Sequence, residues 1–294
     1  MRFDGRARGW VEAVTGRAVV RARRMPGGVS SAVHEVGLAG GGRLVLRRTI
    51  DLPGIEPPTA RAEAEREVDG LRRLAGWPLA PTLVAADLDG ERCGAPAVLV
   101  TRLPGRPWVA PGAAVGAWVD GLAAALRAVH ELDPAPTGLP ATRPWIFGPR
   151  AAPSWTAVPE AWTWAFSVVA DGLPAGGPDR LLHRDLHPGN VLFSRRRLTG
   201  VVDWESLCRG PAELDLARSR VQVAVLAGLD AADALWARCA DLAPAYGPAW
   251  DALVACELSL WTEDLLAFTR LGATLTLPGI RATLDEVVTR AHAA

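Results

Sequence analysis

Four polar side chains that could do chemistry lie within one short apolar segment. The stretch "LLHRDLHPGNVLF", residues 181–193, contains His183, Asp185, His187 and Asn190. A carboxylate can accept a proton from an attacking hydroxyl, and a carboxamide oxygen beside another carboxylate suits a hard cation such as Mg²⁺. The pattern therefore predicts a metal-assisted transfer of a phosphoryl group to a hydroxyl.

The residues after Asn190 predict a short β-hairpin that ends at Asp203. "NVLF" and "GVVDWE" are expected to form two strands around a turn centred between Arg196 and Arg197. Paired positions of an antiparallel hairpin have a constant sum of residue numbers, so Asn190 is expected opposite Asp203. Asp185 would then lie beside the bound metal. Such polar residues also occur in loops for turn chemistry alone, but the whole set favours function.

The segments "LLHRDLHPGNVLF", "GVVDWE" and "PAELDLA" resemble those of the aminoglycoside phosphotransferase-type kinases. This family is a branch of the protein-kinase-like fold that also includes choline, homoserine, fructosamine and macrolide kinases. The resemblance implies that Asp185 is the catalytic base, assisted by Asn190, and that Asn190 and Asp203 bind the metal. It places Trp204 where protein kinases carry the Phe of Asp-Phe-Gly. Asp215 matches an aspartate that braces the catalytic loop.

Three neighbours of Asp185 have separate expectations. His187 stands where many protein kinases have a lysine near the transferred phosphate, so it is expected either to donate a hydrogen bond there or to brace the loop. Both interpretations stay open. His183 is expected to support the loop backbone. Arg184 corresponds to the arginine that accepts an activation-loop phosphate in a regulated protein kinase.

The resemblance extends to the nucleotide-binding elements. "MPGGVSSAVHEV" matches the loop that covers the nucleotide, and "VLVTRLPG", residues 98–105, matches the hinge whose backbone would hold adenine. ATP is the expected phosphoryl donor, with GTP as the alternative. The residues expected to bind the nucleotide are Gly27, Gly28, Val29, Ser30, Ser31, Val100, Thr101 and Leu103, together with Arg47 and Glu67.

All 32 basic residues are arginine, so the lysine that protein kinases carry on the third strand is missing. The strand "LVLRRT" offers Arg47 instead, with Arg48 on the opposite face. Glu67 best matches the helix glutamate that pairs with this position, and Glu63 is the alternative. A guanidinium keeps its charge but is a planar fork, so the phosphate geometry must differ. A solvated strand residue is the other interpretation of Arg47.

Hydrophobic spacing divides the chain into two parts. Residues 1–103 predict a five-stranded antiparallel sheet with one packed helix. Residues 104–294 predict a mainly helical part that is interrupted by the catalytic β-hairpin. We therefore expect an α+β protein whose default ligand site is the cleft between the two parts. The resemblance to the kinase family implies that this is the bilobal protein-kinase-like fold.

The composition excludes several classes of partner. The formal net charge is zero, so no overall field attracts nucleic acid or an anionic membrane. The amino terminus lacks the apolar core of a signal peptide, and no uncharged apolar stretch is long enough to span a membrane. The four cysteines are isolated from one another, which argues against a zinc site or a disulfide framework. These features predict a cytoplasmic protein that is a monomer or a weak homodimer.

Two functions of different classes follow. The first is an ATP- and Mg²⁺-dependent kinase that phosphorylates a small-molecule alcohol, either aminoglycoside-like or a metabolite of the choline, homoserine or sugar type. Antibiotic resistance is one biological role open to such an enzyme. The second is a nucleotide-binding protein without turnover, which the missing lysine motivates. Only eleven residues separate Asp203 from Asp215, too few for the peptide-binding segment of a protein kinase.

The acceptor is the part that the sequence determines least. Carboxylates on the late helices would suit a polycationic acceptor, and solvated helix faces are the alternative interpretation. These carboxylates belong to Asp251, Glu257, Glu263, Asp264, Asp285 and Glu286. Twelve tryptophans are spread along the chain, and we expect them to pack in the interior rather than to form a cage for a quaternary ammonium group.

Overall fold

The structure is a computed structural model that describes residues 1–25, 31–49, 60–109, 112–132, 138–146 and 150–294. These residues form two compact units, Met1–Gly105 with Thr199–Leu207 and Arg106–Leu198 with Cys208–Ala294. The boundary expected from the sequence places all of residues 104–294 in the second domain. In the structure, Thr199–Leu207 belongs to the first compact unit.

The first unit is built on a five-stranded antiparallel sheet with the strand order β1-β2-β3-β5-β4, which confirms the predicted sheet. Its strands are β1 (Val19–Arg24), β2 (Ser31–Leu38), β3 (Arg43–Thr49), β4 (Leu83–Asp87) and β5 (Ala97–Thr101). Two helices accompany them, α1 (Gly5–Thr15) and α2 (Ala60–Arg73).

Helix α1 is defined by its two ends. The Asp4 carboxylate caps the helix by accepting a hydrogen bond from the backbone N–H of Ala7 at 2.9 Å. Gly16 ends it in the left-handed conformation, with a φ of 64°. Trp10 and Val11 are buried in one apolar cluster with residues of the sheet. Burial of this apolar surface is the main force that holds α1 on the sheet.

Arg48 connects α1 to the third strand. Its buried guanidinium donates hydrogen bonds to the Asp4 carboxylate at 2.9 Å, to the Cys93 carbonyl at 3.3 Å and to the Arg2 carbonyl. Arg48 thus lies on the α1 side of β3. Because side chains alternate along a strand, Arg47 faces the other side, as predicted.

The second unit is mainly helical, as predicted. Its helices are α3 (Val115–His130), α4 (Pro159–Val168), α5 (Ala212–Ala227), α6 (Leu229–Cys239), α7 (Pro248–Ser259) and α8 (Leu277–Ala293). Its strands are β6 (Arg106–Pro107), β7 (Asp179–Leu182), β8 (Val191–Ser194) and β10 (Cys208–Pro211), while β9 (Arg197–Val201) continues into the first unit. β6 pairs with β8 and β7 with β10, each antiparallel.

Helix α3 is apolar along most of its length. Within the described part of the chain, Gly112–His130 is the stretch long and apolar enough to cross a membrane, with a mean hydropathy of 1.3. This stretch contains two charged residues, Asp120 and Arg127. The expectation that no uncharged apolar stretch is long enough to span a membrane therefore does not concern it. Trp118 and Leu122 are buried and α3 packs against α5 and α6, so this helix contributes apolar side chains to the core.

Candidate active site

In the first unit, the site is centred on the guanidinium of Arg47. β3 directs this side chain toward α2, where Nη1 donates to Oε1 of Glu67 at 2.9 Å. Both side chains are buried, with 10% of Arg47 and 6% of Glu67 exposed. The helix partner is therefore Glu67 rather than Glu63, and Arg47 is not a solvated strand residue.

Two further carboxylates surround the same guanidinium. Asp203 Oδ1 accepts from Nη1 of Arg47 at 2.5 Å, and Glu205 Oε2 accepts from Nη2 at 3.1 Å. Burial, together with the charge of Asp203, raises the pKa of Glu205 to about 8. Burial also raises the pKa of Glu67, although the charge of Arg47 opposes this. Three carboxyl groups therefore surround one guanidinium, and burial favours the protonated form of Glu205 at neutral pH.

The backbone at Asp203 is held in an uncommon conformation. Asp203 has a φ of 74° and a ψ of 62°, in the left-handed region. The next residues, Trp204–Ser206, form a 3-10 turn that packs on α2 at Gly70. A Cβ atom at Gly70 would lie 2.6 Å from the carbonyl oxygen of Trp204. Glycine at this position thus allows α2 to approach the segment that carries the carboxylates of Asp203 and Glu205.

The expected nucleotide-covering loop falls almost wholly outside the described residues. Gly27, Gly28, Val29 and Ser30 all lie outside them. Ser31 is described, and it is buried at the first position of β2. The contribution of this loop to nucleotide binding stays a prediction.

The expected adenine hinge follows β5. Val100 pairs with both neighbouring strands, and the N–H of Thr101 donates to the Thr82 carbonyl at 2.9 Å. The carbonyl of Leu103 accepts from the guanidinium of Arg102. The Thr101 N–H and the Leu103 carbonyl are therefore already hydrogen-bonded within the chain, and adenine binding by this segment stays a prediction.

In the second unit, the Asp185 carboxylate is contacted at both of its oxygens. Oδ1 accepts two hydrogen bonds from Arg218, from Nε at 3.0 Å and from Nη2 at 2.8 Å. Oδ2 lies 3.4 Å from Nε2 of His187. Nδ1 of His187 accepts from the Gly189 N–H at 3.0 Å, so Nε2 is the ring nitrogen that can donate toward the carboxylate. These are the contacts of a loop-bracing histidine.

Charge keeps Asp185 ionised. Burial by itself would raise the pKa of this carboxyl, but the neighbouring side chains of His187 and Arg218 hold the pKa well below its usual range. A carboxylate of such low basicity acts mainly by orienting a hydroxyl nucleophile, and it receives the proton only as the new bond to phosphorus forms.

Asn190 is fixed on the same loop. Its Nδ2 donates to the backbone carbonyl of Asp185 at 3.0 Å, so the carboxamide oxygen is the atom left to bind a cation. Across the described ranges, no three His, Cys, Asp or Glu side chains converge as a ready-made metal site. The Asn190 carboxamide oxygen in the second unit and the Asp203 carboxylate in the first unit are each a type of donor suited to an ion that keeps water and phosphate oxygens among its ligands. Mg²⁺ is such an ion.

The strands after Asn190 are joined by a two-residue turn. Arg195 and Arg196 have φ values of 49° and 63°, as a type I′ turn between β8 and β9 requires. The turn is centred between these two residues, one position earlier than predicted. The prediction that Asn190 lies opposite Asp203 assumed a turn centred between Arg196 and Arg197, so that predicted pairing is wrong. Metal binding by these two residues rests on the resemblance and on their donor atoms.

The catalytic loop is braced from α5 and α7. Asp215 is fully buried and accepts the backbone N–H groups of His183 at 2.9 Å and Arg184 at 2.8 Å. The Arg184 guanidinium donates to both oxygens of the buried Glu257, at 2.6 and 3.1 Å. In a regulated protein kinase, the arginine to which Arg184 corresponds binds the phosphate of the activation loop. Here the carboxylate of Glu257 binds Arg184 instead.

Three of the six carboxylates considered for the acceptor are hydrogen-bonded inside the second unit. They are Asp251, Glu257 and Asp285. Glu263 and Asp264 line an open pocket of about 390 Å³ that also includes Trp155 and Trp261. Glu286 is exposed and pairs with Arg290 at 3.6 Å. Of the six, Glu263 and Asp264 border this pocket.

Three residues that no sequence pattern indicated take part in these clusters, namely Glu205, Arg218 and Trp145. Arg218 follows Asp215 by three positions, so both lie on one face of α5, and this spacing was the available signal. The centre of the Arg184 guanidinium lies 3.9 Å from the Trp145 ring, a contact between distant segments that local spacing does not reveal.

Together, the sheet with its Arg47–Glu67 pair and the helical unit with its braced carboxylate loop define a phosphotransferase of the kinase-like class. The model of the phosphotransferase enzyme family matches residues 21–242, more than half of the chain. The chain belongs to this family. No curated protein is similar enough in sequence to match it.

Solved structures share the fold at low sequence identity. Aminoglycoside phosphotransferase APH(4)-Ia is 16% identical with a TM-score of 0.64, over 97% of this chain and 98% of that chain. One solved form of that enzyme is a ternary complex with ADP and hygromycin B. Macrolide 2'-phosphotransferase MphH from Brachybacterium faecium is 19% identical with a TM-score of 0.56, over 96% and 95%. Choline kinase LicA from Streptococcus pneumoniae is 12% identical with a TM-score of 0.61, over 97% of each chain.

Proposed function

We propose that the protein is an ATP-dependent kinase of a small molecule that bears a hydroxyl group. The observation that carries this proposal is the Asp185 carboxylate, which is ionised and held by Arg218 and His187 on a loop braced by Asp215. Such a carboxylate can align a hydroxyl with a phosphoryl group, and alignment is most of what this reaction requires of a protein.

In the proposed reaction, each residue of the site has a separate role. Asp185 accepts a hydrogen bond, and then the proton, from the acceptor hydroxyl. Arg47, held by Glu67, supplies positive charge to the phosphates of ATP or GTP. Asn190 and Asp203 would hold Mg²⁺, which when bound neutralises phosphate charge.

The aminoglycoside, macrolide and choline enzymes named above support a small-molecule acceptor, and they share their fold with this chain. A fold used for such different alcohols does not select one of them. We place aminoglycoside-like acceptors first because Glu263 and Asp264 border an open pocket with one arginine, Arg281, so the carboxylates outnumber the cation and would attract a cationic molecule.

A second function, nucleotide binding without turnover, is favoured by the contacts of Arg47. Its guanidinium donates three hydrogen bonds to Glu67, Asp203 and Glu205. Three of the five N–H groups of the fork are thus used and the one on Nε is buried, which leaves few donors for phosphate. If these are too few to align the nucleotide, binding would persist while transfer would not.

An acceptor screen with a coupled ADP readout distinguishes the two functions. Purified protein is incubated with MgATP and a panel that includes hygromycin B, a macrolide, choline, homoserine and simple sugars. For a kinase, at least one acceptor stimulates ADP release in the wild type and not in Asp185→Ala. For a binding protein, MgATP raises the melting temperature of both proteins and no acceptor stimulates ADP release. Equal release by both proteins would remove Asp185 as the base.

A further inference from the structure

We propose that Arg218 is a positioning residue that holds the Asp185 carboxylate in the orientation needed to receive the acceptor hydroxyl. Arg218 lies on α5, outside the catalytic loop and its hairpin. The inference rests on the proposed function, because it assigns to Arg218 a part in phosphoryl transfer that acts through Asp185.

One face of α5 contacts four consecutive residues of the catalytic loop, residues 183–186. Asp215 accepts the first two backbone N–H groups, Arg218 donates to the side chain at the third position, and the Ser219 hydroxyl donates to the last carbonyl at 2.7 Å. Positions i, i+3 and i+4 of a helix share one face, so the segment "DLARS" directs all three side chains toward the loop.

Of these three helix residues, Arg218 is the one that contacts a side chain of the loop rather than its backbone. Its Nε and Nη2 both donate to Oδ1 of Asp185, at 3.0 and 2.8 Å. Two donors on one oxygen occupy its two lone pairs. Oδ2, which lies 3.4 Å from His187, is then the oxygen that can accept a hydrogen bond from the acceptor hydroxyl. The pair thus fixes the rotation of the carboxylate and selects its reactive oxygen.

The guanidinium of Arg218 is itself held by the interior of the second unit. Its Nη1 lies 3.9 Å from Oε2 of Glu257, and its centre lies 5.4 Å from the Trp145 ring. Glu257 is buried, and its Oε1 also accepts a hydrogen bond from the backbone N–H of Trp145 at 2.8 Å. Only 11% of the Arg218 side chain is exposed. Its orientation is therefore set by the fold before a substrate binds, as a positioning role requires.

The first test compares matched substitutions of two arginines on the same helix, using the acceptor that gives the highest rate in the screen. Arg218→Gln is expected to lower kcat about 10²-fold with the KM for MgATP changed by less than about 3-fold, because a misplacement of about 1 Å at a reacting group costs about that much. Arg220 is two positions further on and pairs with Asp251 and Asp233 instead. Arg220→Gln is expected to lower the melting temperature, with kcat per folded enzyme within about 2-fold of wild type.

Two further measurements separate positioning from a purely structural role. In an Asp185→Asn background, Arg218→Gln is expected to cause no additional loss of kcat, because the group it acts through is already gone. Added guanidinium ion is expected to restore part of the kcat of Arg218→Ala and none of that of Asp185→Asn. Arg218→Lys, which keeps the charge but not the fork, is expected to fall between wild type and Arg218→Gln.

The outcomes separate this inference from the proposed function. If Arg218→Gln and Arg218→Lys both keep the wild-type kcat while Asp185→Asn is inactive, the positioning role is overturned and the kinase stands. Additive losses in the double variant would also overturn it, because Arg218 would then act independently of Asp185. If the wild type transfers no phosphoryl group to any acceptor, the kinase and the positioning role fail together.

Discussion

At the scale of single residues, Arg47 is a guanidinium that three carboxylates share. Replacing it with methionine leaves Glu67 buried without its partner and removes the charge that opposes Asp203 and Glu205. Breaking a buried ion pair from one side costs about 3–5 kcal/mol. We expect Arg47→Met to lower the free energy of unfolding by about this amount, measured by urea denaturation. The double variant Arg47→Met/Glu67→Leu should recover part of the loss, and equal stability of the two variants would contradict this assignment.

The pair of Arg184 and Glu257 makes a similar prediction in the second unit. Both side chains are almost fully buried, with 2% and 1% exposed. Glu257→Gln is expected to cost about 3–5 kcal/mol, because it leaves the Arg184 charge buried without a counter-charge. Asp120→Asn is the matched control, since it breaks an exposed pair with Arg238 and should cost less than about 1 kcal/mol. Similar losses in the two variants, measured by urea denaturation, would show that the buried pair is not needed for stability.

Residue types predicted part of the site because its motifs are local. Asp185 and Asn190 were predicted from spacing along the sequence, and Asp215 and Glu67 were predicted from the resemblance to the kinase family. The contact of Arg218 with Asp185 spans 33 residues and that of Glu257 with Arg184 spans 73. No short pattern encodes such contacts, because they depend on how helices pack.

At the scale of elements, the sheet was predictable and the hairpin turn was not. The strand β2 alternates more and less buried residues, which the sequence shows as an alternating apolar pattern. The turn falls among three consecutive arginines, residues 195–197, and two of them adopt positive φ values. Glycine or asparagine normally marks such a turn. Without that mark, the predicted centre was displaced by one residue.

Helix α3 offers a test of packing through two of its glycines. A Cβ atom at Gly121 would collide with the ring of Phe193 on β8, whereas a Cβ atom at Gly116 would meet nothing within 4 Å. Glycine to alanine in a helix normally stabilises by up to about 1 kcal/mol. We expect this for Gly116→Ala, and a loss of about 1–3 kcal/mol for Gly121→Ala, since overpacking exceeds the gain in propensity. Thermal unfolding checks the opposite signs, and stabilisation by both would contradict the close packing of α3 on β8.

At the scale of the whole molecule, the response to mild acid comes from histidines and carboxylates, because these are the side chains that titrate between about pH 4 and 7. Burial and the neighbouring charges of Arg48 and Arg24 lower the pKa of His34. Burial and Arg180 lower the pKa of His130 to about 4. An unfolded histidine titrates near about 6.5. As the pH falls below that value, the unfolded chain binds protons that the folded chain does not, so stability falls toward about pH 4.

Urea denaturation at several pH values between 7.5 and 4.5 checks this response. His34→Leu and His130→Leu are each expected to reduce the decline in the free energy of unfolding on the acid side, whatever their stability at pH 7.5. A decline parallel to that of the wild type in both variants would contradict the assignment to these histidines.

The family was also predictable at this scale, whereas the acceptor was not. The motifs of the catalytic loop mark a reaction that many members of the fold share. The acceptor depends on the surface that the late helices present. Sequence alone could not show that Asp251, Glu257 and Asp285 are hydrogen-bonded within the second unit. A carboxylate on a helix looks the same in the sequence whether it faces solvent, a substrate or a buried arginine.

The most direct test of the central claim measures transfer of the γ-phosphoryl group from MgATP to the best acceptor by wild type and by Asp185→Asn. The substitution keeps the size of the side chain but removes the negative charge that accepts the hydroxyl proton. We predict that kcat falls about 10²–10⁴-fold, while the rise in melting temperature with MgATP is retained. Transfer by Asp185→Asn at the wild-type rate would contradict the account.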